Sequence, residues 1–188
     1  MTDIHRKLSL PLDNGFLRRQ CPFCRREFKV SVPTEELQTL AQQAVEGFLL
    51  ETMSSAGHTS SDENQPEAEF FCPYCGQQAA SSDWWTDEQI AYFQVIAQNI
   101  AADLINENLI RPLKRTFRGQ KTGLISMRFE GQELPRKQEW LAPDPPDMTE
   151  VYLACCERRI KVQDDWCDTV FCFFCGFPHN HLIPKDTP

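Results

Sequence analysis

No stretch of this 188-residue chain approaches the roughly 20 consecutive apolar residues that cross a bilayer. Met1 to Pro11 lacks the apolar core of a signal peptide. Together these absences exclude a membrane helix and give a cytoplasmic protein as the expectation. There is no Gly-rich phosphate loop, no His-Glu-x-x-His pattern and no Ser/His/Asp arrangement that can be placed, which removes the commonest signatures of nucleotide chemistry, zinc peptidases and acyl transfer. Lys and Arg are missing altogether from residues 54–110, which hold 9 acids. With a formal net charge of -8, wholesale nonspecific binding to nucleic acid is disfavoured.

What remains is ordinary in bulk and unusual in detail. Hydrophobic residues make up 41% and charged residues 24%, as in a soluble globular protein. The length suits one compact domain or two small ones sharing a core. Residues 111–137 break the acidic trend with 8 basic and 2 acidic side chains. This island, with Arg111, Lys114, Arg115, Arg118 and Lys121, is the one candidate for a local nucleic-acid contact. Basic residues also collect at helix C-termini for electrostatic reasons alone, and that duller account is preferred here. Nine cysteines are many for this length, and in a reducing compartment paired cysteines point to metal before disulfide.

Periodicity supplies a coarse map. Phe28 to Val32 alternates as a short strand does. Pro33-Thr34-Glu35-Glu36 reads as a helix start with Thr34 as N-cap. Leu37, Leu40, Ala41, Ala44, Val45, Phe48 and Leu49 recur at helical spacing, predicting a helix over 35–53. Residues 54–68 are too polar to bury and are expected to be a mobile loop. Thr86 to Gln89 fits a capping box. Behind it, Ile90, Phe93, Ala97, Ile100, Ala101, Leu104 and Ile105 share one helical face, until Pro112 ends or kinks the helix near Ile110. Trp84-Trp85 reads as core. Leu124 to Phe129 is a possible strand, and residues 142–147 a proline-rich linker.

The two ends of the chain repeat each other. Cys24-Arg-Arg-Glu-Phe-Lys-Val30 matches Cys156-Glu-Arg-Arg-Ile-Lys-Val162. Phe70-Phe-Cys-Pro-Tyr-Cys-Gly76 matches Val170-Phe-Cys-Phe-Phe-Cys-Gly176. Repetition of a whole cysteine pattern is hard to obtain by chance. A Cys-x-x-Cys turn aims two sulfurs at one point, and two such turns complete the tetrahedron that Zn2+ prefers. Gly76 and Gly176 follow the second cysteine, where a Cβ would hinder the backbone. Site one is therefore Cys21, Cys24, Cys72 and Cys75. Site two contains Cys156, Cys172 and Cys175. Leu153 stands where Cys21 has its counterpart, so the fourth ligand comes from elsewhere: Cys155 is the first choice, with Cys167, His179 and His181 as alternatives. Two structural zinc ions are expected. Arg25, Arg26 and Lys29, and Arg158, Arg159 and Lys161, are read as local compensation of thiolate charge in preference to phosphate contacts.

The pattern resembles the zinc-ribbon family, in which two knuckles face each other across a small β-sheet. The resemblance covers about residues 16–32 with 69–78, and 151–178. The resemblance does not explain the helices between. Ribbons and helices together give an α+β protein as the expectation: two small β-rich ribbons joined by a long central helix, the first ribbon carrying a helical insertion. Expected boundaries are 1–83, 84–118 and 119–188. The resemblance implies a nonenzymatic recognition or assembly role, as a protein-protein adaptor or a subunit of a larger complex. The alternatives are nucleic-acid binding through 111–121, a redox enzyme acting through Cys72/Cys75, and metal-assisted hydrolysis at an incomplete second site using His179 or His181. Cys72-Pro-Tyr-Cys75 matches the glutaredoxin tetrapeptide, but the strand-to-helix context of that family is missing.

Overall fold

A computed structural model of the chain describes residues 10–54, 69–117 and 129–180. Most of the expected loop 54–68 and of the possible strand 124–129 lies outside the described residues, as do Arg118, Lys121 and His181. Helices and small antiparallel sheets are mixed, an α+β arrangement. The chain divides into two compact units: Met1–Leu8, Ala41–Ser60 and Ala91–Trp140 form one, and Ser9–Leu40, Ser61–Ile90 and Leu141–Pro188 the other.

The second unit is built from hairpins. Strands β1 (Phe16–Gln20) and β2 (Glu27–Ser31) pair antiparallel. Near the other end of the chain, β5 (Met148–Leu153) and β6 (Arg158–Gln163) do the same. The registers correspond pair for pair. Arg18↔Lys29, Arg19↔Phe28 and Gln20↔Glu27 in the first hairpin find Glu150↔Lys161, Val151↔Ile160 and Tyr152↔Arg159 in the second. The inner strands then join through Lys29↔Lys161 and Val30↔Ile160, giving one four-stranded sheet of order β1-β2-β6-β5. Equivalent residues meet at its centre, so the hairpins are related by an approximate twofold axis. Two further hairpins, β3 (Glu69–Phe71) with β4 (Gln78–Ala80) and β7 (Val170–Phe171) with β8 (Pro178–His179), follow the same rule. They are tied reciprocally: Phe71 N–H donates to Phe173 O at 2.9 Å and Phe171 N–H to Pro73 O at 2.9 Å.

Apolar faces of these strands close over an aromatic core. Phe28 and Trp84 are fully buried and meet edge to face at 5.8 Å, while Phe70 stacks on Phe173 at 4.6 Å. Trp84 and Trp85 belong to the core, as expected. Tyr74 accepts from Gln163 N–H at 2.9 Å and donates to Glu27 O at 2.7 Å, so one hydroxyl bridges the two hairpins.

The sheet centre is not apolar. Lys29 is wholly buried, and its Nζ lies 2.9 Å from Asp13, 3.2 Å from Asp144 and 3.0 Å from Asp147. Lys161 reaches the same Asp13 oxygen at 2.6 Å. Arg18 binds Asp144, Asp147 and Glu27 at 2.8, 2.6 and 2.7 Å. The proline-rich stretch 142–147 is therefore pinned to β1 and β2 by its two aspartates and does not hang free as a linker.

Helix α1 spans Thr34–Ser54. A hydrogen bond runs from Leu37 N–H to Pro33 O, so the helix opens at Thr34, one residue ahead of the expected start at 35, and Pro33 takes the cap position. Leu37, Ala41 and Val45 form its buried stripe. Helix α2 (Asp87–Ile105) begins at the predicted capping box: Gln89 N–H donates to Thr86 Oγ1 at 3.2 Å, and Thr86 N–H to Gln89 Oε1 at 3.0 Å. Pro112 does not end the helical path. A π-turn over Asn106–Ile110, with Arg111 N–H bonded to Asn106 O, leads into a short α3 (Arg111–Thr116). The wider turn relieves the missing N–H and the ring clash that proline brings to an α-helix.

The unit holding most of α2 contains a feature absent from the periodicity. Asn99 and Asn106 are buried, while Ile105, expected on the apolar face, is 41% exposed. Each asparagine pairs with both backbone groups of one residue in an extended segment. Asn99 donates to Lys137 O at 2.9 Å and accepts from Lys137 N–H at 2.7 Å. Asn106 does the same with Leu134 at 2.9 and 2.8 Å. Two helical turns rise about 10.5 Å, close to the span of three extended residues, so the spacing matches.

Candidate metal centres

Three of the four cysteine turns share one backbone pattern. Cys21 N–H bonds Arg26 O, Cys72 N–H bonds Gln77 O and Cys172 N–H bonds Phe177 O, at 3.0, 2.8 and 2.8 Å. The residue after the second cysteine donates back to the first: Arg25, Gly76 and Gly176, at 3.0, 3.0 and 2.8 Å. All these residues, and Glu157 after Cys156, have positive φ, from 51° to 72°. Only two are glycine, and packing explains which. A Cβ on Gly76 would come 3.3 Å from the Phe171 ring, and one on Gly176 2.8 Å from the Phe71 ring. The requirement foreseen for Gly76 and Gly176 thus combines handedness with a ring packed across from the other hairpin.

The turns bring sulfurs together in two quartets. Cys21, Cys24, Cys72 and Cys75 form one, and Cys155, Cys156, Cys172 and Cys175 the other, with the four sulfurs of each within 4.8 Å of one another. Across the first quartet, Cys21 Sγ lies 3.8 Å from Cys75 Sγ and Cys24 Sγ 3.7 Å from Cys72 Sγ. Four sulfurs about 2.3 Å from a central ion define a tetrahedron of edge about 3.8 Å. Bonded sulfurs would be about 2.05 Å apart, and all nine cysteines are free. The donor set and spacing fit a thiophilic metal ion.

Backbone amides, more than basic side chains, face these sulfurs. Cys21 Sγ accepts from the amides of Phe23 and Cys24 at 3.4 Å, and Cys72 Sγ from those of Tyr74 and Cys75 at 3.4 and 3.5 Å. Burial pushes the Cys72 thiol up, and it raises Cys24 as well. Cys21 is lowered against its own desolvation by the Cys24 and Phe23 amides. In the second quartet the Phe177 amide leads in lowering Cys175 to about 7, while burial raises Cys155.

The flanking basic residues, expected to offset thiolate charge, also have partners of their own. Arg25 pairs with Asp87 at 2.6 Å, Arg159 with Glu150 at 3.0 Å, and Lys29 and Lys161 with Asp13. Arg26 lies over Trp166 and Arg158 over Phe174. The tight turns aim their own amides inward at the sulfurs.

At the second site the sulfur nearest to completing a quartet comes from Cys155. Leu153, the counterpart of Cys21, is fully buried, and Cys155 supplies the fourth sulfur of the quartet. Cys167 is exposed and outside the cluster. His179 lies beside it, with Nε2 3.1 Å from Cys155 Sγ. The two sites differ in cover: Cys155 and Cys175 are both exposed, whereas in the first quartet only Cys75 is.

Of the basic island, Arg111 and Lys114 both approach Glu133, at 3.3 and 3.9 Å, and Arg115 is exposed. No helix among the described residues is long and apolar enough to cross a membrane. The buried pair Asn99 and Asn106 and the buried lysines were missed by the sequence reading; the signal available was a polar residue recurring every seventh position on an apolar helix. Set against family models, curated proteins and solved structures, the chain matches none.

Proposed function

We propose that this chain is a zinc-scaffolded, nonenzymatic assembly or recognition protein, built as two zinc-ribbon units paired about an approximate twofold axis. The observation that carries this reading is the convergence of eight cysteines, from turns far apart in sequence, into two four-sulfur groups of metal-binding size. Zinc is the metal that four thiolates in closed tetrahedral sites hold for structural purposes. Each site contributes on the order of 10–16 kcal/mol of apparent binding energy, enough to fix short hairpins that could not fold alone.

The alternatives have less support. A redox dithiol needs a low-pKa attacking thiol, whereas Cys72 is buried and raised, and Tyr74 between the two cysteines is a core residue. For nucleic-acid binding, the basic side chains beside the knuckles and at 111–114 already have protein partners. A protein partner is favoured by the exposed Trp140, at 71%, and by Leu109 and Leu134 in the same unit.

Metal analysis tests the reading. The purified chain should carry two equivalents of zinc, and the paired variants Cys21→Ser/Cys24→Ser and Cys172→Ser/Cys175→Ser one each. A chain without zinc, or a paired variant that keeps both ions, would disprove the assignment.

A further inference from the structure

We propose that His179 Nε2 is a fifth donor of the second quartet, able to complete a three-sulfur, one-nitrogen site with Cys156, Cys172 and Cys175 when Cys155 is not available. This rests on the zinc reading above.

The symmetry of the hairpins exposes the anomaly. At the first site, Cys21 follows β1 and Ala79 occupies the β4 position opposite Phe70. At the second, the Cys21 position is Leu153 and the Ala79 position is His179, opposite Val170. The two departures from the repeat therefore fall at one site. Cys155 reaches the quartet from a turn that lacks the backbone pattern of the other three; there the Cys156 amide bonds Leu153 O at 3.3 Å. Cys155 is exposed, so it is a sulfur that alkylating and oxidising agents can reach.

His179 is placed by the same hairpin that carries Cys172 and Cys175. Strand pairing with Val170 fixes its backbone, and the Phe177 ring packs edge to face on the imidazole at 5.5 Å. Nε2 meets Cys155 Sγ at 3.1 Å. With Cys155 ligated as thiolate, the Nε2–H tautomer donates a hydrogen bond to that sulfur. With Cys155 gone, the tautomer protonated at Nδ1 leaves the Nε2 lone pair facing the vacated corner, and neutral imidazole is an ordinary zinc ligand. No proton or electron balance beyond this tautomer change is needed.

The test compares zinc content and 113Cd NMR of the full chain and three variants. Wild type, Cys155→Ser and His179→Ala should each hold two equivalents, and the double variant Cys155→Ser/His179→Ala one. In cadmium-loaded Cys155→Ser, one of the two resonances should move from the four-sulfur position to that of three sulfurs and one nitrogen. Cys155→Ser at one equivalent, an unmoved or absent second resonance, or a double variant that keeps two ions would overturn the inference alone. Wild type with fewer than two equivalents would overturn the zinc reading and this inference with it.

Discussion

At the scale of single residues, the most consequential side chain outside the cysteines is Asp13. Its carboxylate is the shared partner of Lys29 and Lys161, which face each other where the two inner strands meet. Without it, Lys161 would lose its carboxylate beside a second buried ammonium, while Lys29 would keep Asp144 and Asp147. Asp13→Ala should cost about 3–5 kcal/mol in denaturant unfolding, the range for breaking a buried pair by removing one partner; a loss under about 1 kcal/mol would show that Asp144 and Asp147 suffice. The hydrogen bonds from Lys161 and then Lys29 hold the Asp13 pKa below its ordinary 3.8. A lowered carboxylate stabilises the fold above its unfolded pKa and stops doing so as pH falls through the folded value. Asp13 should therefore contribute fully at neutral pH, and its contribution should disappear only below about pH 4. Gly176 offers a second residue-scale test. Gly176→Ala combines a positive φ with a ring in the way, so it should destabilise by about 1–3 kcal/mol. Glu157→Gly, at an equivalent turn with a positive φ of 51°, should be neutral or stabilising, because glycine adopts that backbone without strain.

At the scale of elements, turns and caps decide more than strand propensity. The Thr86–Gln89 box was legible from four letters, because each side chain only has to reach backbone three residues away. Thr86→Ala should lower unfolding free energy by about 1 kcal/mol, measured by denaturant titration with unchanged slope. No change would mean that the bond from Gln89 to Arg18 O, at 3.0 Å, anchors the helix start without the cap. The π-turn before Pro112 was not legible, and the spacing of the two asparagines of α2 did not name their partners. Periodicity weighs apolar residues, and it placed Ile105 inward where Asn106 belongs. An amide side chain pairs with a backbone segment only after the chain has returned from residue 106 to residue 134, and nothing local announces that return.

At the scale of the molecule, the two sites should not be equivalent. The second quartet exposes Cys155 and Cys175, while the first exposes Cys75 alone. A chelator in excess should therefore remove zinc in two phases, the faster one absent from Cys172→Ser/Cys175→Ser and retained in Cys21→Ser/Cys24→Ser. A single phase, or the reverse assignment, would show that exposure does not govern release here.

The cysteine spacing and the internal repeat determined, by themselves, the composition of the first quartet and three members of the second. Metal-ligand turns are local objects: a Cys-x-x-Cys turn aims its sulfurs whatever surrounds it. The repeat also implied, after Cys156, a counterpart of the strand read over Phe28 to Val32, since equal spacing from cysteine gives equal placement. Tertiary structure alone decided that the two hairpins share one sheet, because the choice between separate and joined strands depends on contacts between residues near 30 and near 160. It alone brought Cys155 and His179 to the same corner and buried two lysines on one aspartate. A charge can be buried only where its partner arrives from elsewhere in the chain, and the sequence does not record that meeting.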